Sequence, residues 1–392
     1  MIEFDSKNSP AGSVIKIIGV GGAGGNAVNT MIENNLSGVE FVVANTDTMD
    51  LHKSKAKVKL QLGKKTTRGL GTGANPEIGR EAANESIDEI RSTLDGADMV
   101  FLAAGMGGGT GSGAAPVIAQ LAREMKILSL GIVTKPFRFE GQKRKENADL
   151  AIQEFSQYVD TLIVIPNEKI REICADITVL NAFHQADNIL YEAAKAVSDI
   201  INFSGYMNVD FADVKKVMSQ MGYALMGTGI AEGENRAVIA AKNAISNPLL
   251  SDINLQGCKA LLINITAGND LLMSEFDTVS EVVVNETGSS ANTILGLVFD
   301  EKMEGKLAVT IIATGLKSMD EDVINFAPVP PIITKPTMDI PSTTELEDIL
   351  ERIQANQLKP DDSQLNEKSA EDLNTYSPTI QTDIPSFLKA MD

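Results

Sequence analysis

Cysteine is nearly absent from this 392-residue chain: Cys174 and Cys258 stand alone, with no CxxC spacing and no nearby histidine partner. That scarcity excludes a disulfide framework and a zinc site, and leaves two ordinary reduced thiols. No stretch of about 18 or more uncharged apolar residues occurs, so no segment offers a membrane span. The first ten residues include Glu3 and Asp5 and lack an apolar core, so they do not read as a secretory signal, and a cytoplasmic protein is expected. Positive charge is short as well. With 34 Lys and Arg against 53 Asp and Glu, the net charge of −19 repels phosphate backbones and anionic headgroups. Nucleic acid and direct membrane insertion are therefore excluded as main modes of binding.

Glycine does not occur beyond Gly315, whereas eight of the 14 prolines lie at or after Pro328. From Lys317 onward 15 acidic residues face six basic ones, a composition that cannot bury enough surface to offset ordering entropy, so a disordered tail is expected. Within it, Leu346, Ile349, Leu350 and Ile353 fall at helical spacing behind Thr344 and Glu347, which predicts a short transient helix over 342–354. Ahead of the tail, the length favours two domains. Apolar runs at 14–20, 39–45, 98–104, 127–133 and 161–166 alternate with helical patterns, which predicts a parallel sheet buried on both faces. A long helical pattern at 187–203, with Ile189, Leu190, Ala193, Val197, Ile200 and Ile201, is expected to join it to a second, smaller α/β domain. There strands are expected at 260–266, 281–285 and 307–313, and a helix at 236–246. The fold class is thus α/β, with a Rossmann-type parallel sheet, a long central helix, a smaller mixed domain and a disordered C-terminal tail.

The first run leads into Gly19-Val20-Gly21-Gly22-Ala23-Gly24-Gly25-Asn26, followed by a helix expected near Ala27. Strand, tight turn and helix in this order point backbone N–H groups at a phosphate, so a nucleotide can bind despite the acidic charge if amides and a metal ion supply the local positive field. Alone, GxGxxG fits a dinucleotide-dependent oxidoreductase equally well, with Asp47 as the ribose-binding acid. A second loop, Gly105-Met106-Gly107-Gly108-Gly109-Thr110-Gly111-Ser112-Gly113, again stands between a strand and a helix, with Pro116 expected in that helix's first turn. Two phosphate cradles exceed what a dinucleotide fold needs, and a flexible linker would not sit between a buried strand and an amphipathic helix. No charged residue lies between Gly105 and Ala122, so amides, Thr110, Ser112 and Mg²⁺ would hold the phosphates. A GxxxxGK[ST] sequence is missing, which excludes an ordinary P-loop NTPase.

The run Gly107 to Gly113 resembles the tubulin signature, and its surroundings, from Val14 to Gly315 and again at the C-terminus, resemble the FtsZ family of bacterial cell-division GTPases within the tubulin superfamily. The resemblance implies GTP and GDP as ligands, Mg²⁺ with the nucleotide and, as an alternative left open, K⁺. It implies nucleotide contacts from Gly22, Ala23, Gly24, Gly25 and Asn26, from Gly108, Gly109, Thr110 and Gly111, and a γ-phosphate-sensing loop including Gly71 and Thr72. Glu140 and Arg144 would meet the ribose side, although their spacing equally suits a surface i,i+4 ion pair. Asn167, Phe183 and Asp187 would recognise guanine. A carboxylate accepts from its N1–H and 2-amino group, a donor pair adenine lacks, while the other use of Asp187 is as a helix N-cap.

Asn208, Asp210 and Asp213 resemble the family's catalytic loop, which acts on the GTP of the neighbouring subunit in a head-to-tail filament. Their ordinary use at a helix start would be as caps and dipole partners. Asp383, Ile384, Pro385, Phe387 and Leu388 resemble the family's partner-binding peptide, for FtsA-like membrane adaptors, against the reading of scattered apolar residues in a tail. Expected boundaries are 1–12 disordered, 13–183 GTP-binding domain, 184–204 central helix, 205–316 second, GTPase-activating domain, 317–378 acidic linker and 379–392 partner peptide. The expected product is a self-assembling GTPase, a homopolymer at the mid-cell division ring. Competing with it are a structural filament that barely hydrolyses GTP and an NAD-dependent oxidoreductase. The oxidoreductase is disfavoured because His52 and His184, the only histidines, are poorly placed for catalysis. Ala23, Thr72 and Ser112 stand where the family commonly has Gly, Ala and Thr; Ala23 requires a backbone that avoids positive φ.

Overall fold

The computed structural model describes residues 13–173, 177–202, 211–219, 222–250, 258–287 and 291–316. The chain divides into Met1–Ile324 and Asn325–Asp392, and every described residue lies in the first unit. The expected tail, its transient helix and the terminal peptide fall outside the described residues.

The first half alternates strand and helix. It comprises β1 (Ile15–Val20), α1 (Gly21–Glu33), β2 (Glu40–Asn45), α2 (Thr48–Lys53), β3 (Val58–Gln61), α3 (Pro76–Glu85), α4 (Ile87–Leu94), β4 (Met99–Gly105), α5 (Thr110–Glu124), β5 (Leu128–Lys135), α6 (Gln142–Ser156), β6 (Thr161–Pro166) and α7 (Asn167–Ile173). Then follow α8 (Val179–Asn202), α9 (Phe211–Met218), β7 (Gly222–Glu232), α10 (Arg236–Ile245), β8 (Ala260–Ala267), α11 (Met273–Thr287), β9 (Asn292–Phe299) and β10 (Lys306–Leu316). The strands form one sheet in the order β3-β2-β1-β4-β5-β6-β7-β10-β8-β9. From β3 to β7 all pairings are parallel, β10 runs antiparallel to β7 and β8, and β9 is parallel to β8.

Both faces of the parallel half are covered, as its apolar strands require. On β1, Ile15 and Ile17 pack with Ala27, Val28 and Met31 of α1 and with α8, while Ile18 and Val20 pack on the opposite side with α3 to α6. Of the residues expected to face the core from α8, Ile189, Leu190, Ala193, Val197 and Ile200 are buried and Ile201 is half-buried. They share one cluster with β1 and β5 and with Met226, Leu262 and Ile312 of the later strands. At 24 residues the helix is roughly 36 Å long, enough to lie along both halves.

Several expectations need correction. α8 starts at Val179, eight residues before Asp187, with the Asn181 N–H donating to Thr178 Oγ1 (3.3 Å); Asp187 is therefore inside the helix and is not its cap. α1 starts at Gly21 rather than near Ala27, so the glycine run is itself helical. Pro116 falls in the second turn of α5, where it forgoes a bond to the Ser112 carbonyl. Residues 281–285, expected as a strand, belong to α11. Phe276, Val279, Val283 and Thr287 are buried at helical spacing there, and this packing overrides the β preference of Val282, Val283 and Val284. Strands β3, β7 and β9 were not anticipated. In β7, Gly227 and Gly229 each mark a place where helix backbone touches strand. A Cβ on Gly229 would lie 2.2 Å from the Ala240 carbonyl oxygen of α10, and one on Gly227 2.2 Å from that of Ala244.

Replacing Gly229 by Ala should therefore lower unfolding stability by about 1–3 kcal/mol through overpacking, read as a fall in the urea midpoint. Gly233→Ala meets nothing within 4 Å and should cost about 1–2 kcal/mol, from its positive φ alone.

Candidate functional site

The order β3-β2-β1-β4-β5-β6 reverses direction between β1 and β4, and in open α/β sheets such a switch point leaves a crevice at the carboxyl ends of the strands. A cavity of about 530 Å³ lies there, within the range of small-molecule sites. Its wall includes residues just past the ends of five parallel strands: Gly21, Thr46, Met106, Pro136 and Asn167.

Two helices begin at this cavity. α1 follows Val20 and α5 follows Gly109 without a side-chain cap, and neither has an acidic residue in its first turn. Their free N–H groups and dipoles favour an anion. The two starts touch: a Cβ on Gly21, at φ +74°, would lie 3.0 Å from the Gly111 nitrogen. Gly107, at φ +100°, turns the second loop back so closely that a Cβ would lie 2.6 Å from the Arg144 carbonyl oxygen.

Of the expected nucleotide contacts, Gly22, Ala23, Asn26, Gly71, Thr72, Gly108, Gly109, Thr110, Gly111, Glu140, Arg144, Asn167, Phe183 and Asp187 all line this cavity. Gly24 and Gly25 do not. A Cβ on Gly24 would strike the Ala103 carbonyl oxygen at 2.3 Å, so this glycine lets α1 sit against β4; Gly25 borders a smaller neighbouring cavity. Ser112 is also removed from the ligand set: it is buried, off the cavity wall, and its Oγ accepts the Gly107 N–H at 2.8 Å, which braces the loop. Ala23 is not among the residues with positive φ and packs its methyl toward Gly105, consistent with its standing in a helix.

The loop of Gly71 and Thr72 is fastened to the turn after β2. Gly71 N–H donates to Thr46 O (3.3 Å), Thr48 N–H to Gly69 O (3.1 Å), and Asp47 pairs with Leu70. Thr46 and Thr110 share a buried hydroxyl–hydroxyl bond of 2.7 Å. Asp47 Oδ1 accepts from Met49 N–H (2.8 Å) and caps α2. Glu140 and Arg144 reconcile both readings, since they form the i,i+4 ion pair at 2.5 Å and line the cavity together. Asn45, Thr46, Asp50, Thr134 and Leu190 also line it and were not foreseen. Asn45, Thr46 and Thr134 were findable from their place at the carboxyl ends of β2 and β5.

Elsewhere on the wall stand Asn167, Phe183 and Asp187. Asn167 is buried with its Oδ1 unpartnered among the described residues. Phe183 meets Phe137 and Phe139 edge-on, with centroids at 5.3 and 6.4 Å, yet stays 41% exposed. Burial pushes the Asp187 carboxyl up from 3.8 to about 7. An unpartnered amide oxygen and a desolvated carboxyl beside an open aromatic face suit a flat ring that donates N–H groups. Asp213 is exposed on α9 and is not part of the cavity wall; Asn208 and Asp210 lie outside the described residues. Those residues contain no cluster of three or more His, Cys, Asp or Glu arranged to hold a metal, and no helix long and apolar enough to cross a membrane.

Two uncapped helix starts sharing one cavity with a half-buried carboxylate define an α/β nucleotide-binding protein suited to gripping phosphate by backbone amides. Comparison with known proteins narrows the class. Residues 14–175 match the model described as Tubulin/FtsZ family, GTPase domain, and residues 222–317 match FtsZ family, C-terminal domain. The chain is 51% identical over 313 residues to the cell division protein FtsZ of Coxiella burnetii, covering 80% of this chain and 81% of that protein. To the FtsZ of Pseudomonas aeruginosa it is 53% identical over 305 residues, covering 78% and 77%. The solved FtsZ dimer of M. jannaschii, in its empty form, aligns with a TM-score of 0.76 at 37% identity, over 82% of this chain and 96% of that one. The chain belongs to the FtsZ family and carries its GTPase domain, so guanine nucleotide is its ligand and the oxidoreductase reading is set aside.

With Asp187 set against guanine, as the family resemblance implies, the ring's donors would favour the ionised carboxyl, so binding should lower its pKa and release a proton. Affinity for GDP is then expected to be full above about pH 7 and to fall up to about tenfold per unit below it. Asp187→Asn should abolish that slope and weaken GDP binding about 100-fold. Because the folded-state pKa is raised, the carboxyl's contribution to stability is full below 3.8 and lost as pH rises through about 7. The same variant without nucleotide should therefore unfold at a higher temperature than wild type at pH 8. Equal pH slopes in both proteins would reject the assignment.

Proposed function

We propose that this protein is a GTP-dependent self-assembling GTPase that builds head-to-tail protofilaments and the division ring, with each hydrolytic centre completed by the next subunit. The observation that carries the proposal is the mouth of the cavity. Leu70 and Phe183 line it while 84% and 41% exposed, and Phe139, 59% exposed, packs against Phe183. Apolar side chains concentrated on the rim of a polar site call for a covering partner, and a second copy that closes the mouth would also exclude water from the phosphates.

Within one chain Asp213 stands off the cavity wall. Its carboxylate, with Asn208 and Asp210, is assigned to orienting the attacking water in the neighbouring copy's site. This is a positioning role, and positioning is most of what phosphoryl transfer asks of a protein. The amides of α1 and α5 and the Thr110 hydroxyl would hold the triphosphate. Mg²⁺ arriving with it would supply Lewis-acid neutralisation of phosphate charge beside Thr46 and Thr110. Asn167 and Asp187 would read the guanine edge, with Phe183 against the ring. We assign 13–183 to nucleotide binding and 205–316 to activation of the adjoining subunit, with α8 between them. The peptide Asp383 to Leu388 is assigned to docking an adaptor that reaches the membrane.

GTP turnover per molecule should collapse below a critical protein concentration at which light scattering also vanishes. Asp213→Ala should retain GDP affinity within about twofold while turnover falls about 100-fold or more. Constant specific activity on dilution would reject the shared centre.

A further inference from the structure

The helix behind the γ-phosphate loop is seated in an unusual way. α3 meets α5 backbone to backbone at two points: a Cβ on Gly79 would fall 2.4 Å from the Gly109 carbonyl oxygen, and one on Gly113 2.0 Å from that of Pro76 and 2.6 Å from the Arg80 nitrogen. Around them the small side chains of Ala82 and Ala83 add only shallow ridges to fix one helix along the other. A polar grip is available instead. The Arg80 guanidinium of α3 forks onto both carboxylate oxygens of Glu154 in α6, with Nη2 to Oε2 at 2.5 Å. Both side chains are about three-quarters buried, at 24% and 26% exposure, and Glu77 adds a weaker contact at 3.7 Å. Bidentate geometry away from bulk water separates this pair from surface ion pairs of negligible value.

Both ends of the connection reach the phosphate loops. At its start α6 abuts the second glycine loop, where the Arg144 carbonyl oxygen crowds Gly107. At its own start α3 is capped by Asn75, whose Oδ1 accepts the Glu77 N–H (3.0 Å) and whose N–H donates to Thr72 O (3.1 Å). Thr72 in turn lies against Gly109, its Oγ1 2.0 Å from the position of a Cβ there. Gly71, Thr72, Gly73 and Ala74 line the cavity, and Ala74 is held at φ +62°, a conformation that surrounding structure must impose on a residue with a Cβ. A shift of α3 along α5 would move this loop against the phosphates.

We propose that Arg80 and Glu154 act as positioning residues for GTP hydrolysis, setting the Gly71–Ala74 loop against the terminal phosphate by fixing α3 on α5 and α6. The proposal rests on the reading of that loop as the γ-phosphate sensor. Neither residue touches nucleotide. Their loss should impair the triphosphate state selectively and leave the diphosphate state intact.

The test uses the full chain. GTP turnover is measured per sedimented subunit, beside the affinities for GDP and a non-hydrolysable GTP analogue. In Glu154→Gln turnover should fall about tenfold, as for a loop displaced by less than 1 Å. GDP affinity should stay within about twofold, and the analogue-to-GDP affinity ratio should shrink at least about threefold. Arg80→Lys, which keeps the charge but not the fork, should be intermediate and reads the same ratio if Glu154→Gln fails to fold. The reversed pair, Arg80→Glu with Glu154→Arg, should recover turnover to within about threefold of wild type. Unchanged turnover in Glu154→Gln, equal weakening of both nucleotides, or a reversed pair no better than the single variants would overturn the inference alone. A wild type that does not distinguish the analogue from GDP would overturn the sensor reading and the inference together.

Discussion

Backbone meeting backbone without intervening side chains is the constraint on which this site depends. Amides can grip phosphate only if helix starts converge, and here three pieces of main chain occupy one small volume: Gly21 beside Gly111, Gly24 beneath Ala103 and Gly79 on Gly109. Each contact demands a residue without a Cβ. The cost is conformational entropy, roughly 1 kcal/mol per helical glycine relative to alanine, and α1 alone accepts several. The burial of Ala27, Val28 and Met31 against the sheet, at about 1.5–3 kcal/mol for a large side chain, offsets it.

With backbone doing the holding, side chains are left to discriminate and to brace. Ser112 and Thr46 stitch loops together, and Asp47 caps a helix. Asp187 is the costly exception, a carboxylate carried by α8 into a desolvated wall and held with its proton near neutrality. A desolvated carboxyl costs stability in its ionised form. The same helix packs on β5 and on the later strands, so this part of the cavity wall and the body of the second half share one element.

Elements with strong periodicity were legible before any coordinates. The five apolar runs of the first half fall on β1, β2, β4, β5 and β6 within a residue or two, and the apolar stripe of α8 is buried at every position but Ile201. Reading failed where tertiary contact outweighs local preference. Val282 to Val284 look like a strand and lie in a helix, because burial of Val279, Val283 and Thr287 on one face decides the period. The glycine run of α1 was read as a loop because its helical state is stabilised by the sheet beneath it. The two glycine loops of the wall follow from local order, whereas Glu140, Arg144, Asn167, Phe183 and Asp187 follow from the resemblance; Glu140 and Arg144 alone would pass as a surface pair.

The sequence by itself determined the alternation of buried strands with helices, the two glycine cradles without a P-loop lysine, and the acidic charge that turns away polyanions. These follow from local rules, since hydrophobic period and missing side chains act on neighbouring residues. Tertiary structure alone decided which glycines line the cavity and which face backbone, and that Arg80 reaches Glu154 across 74 positions of chain. Those outcomes depend on which elements the sheet order brings side by side, and no local pattern encodes that order.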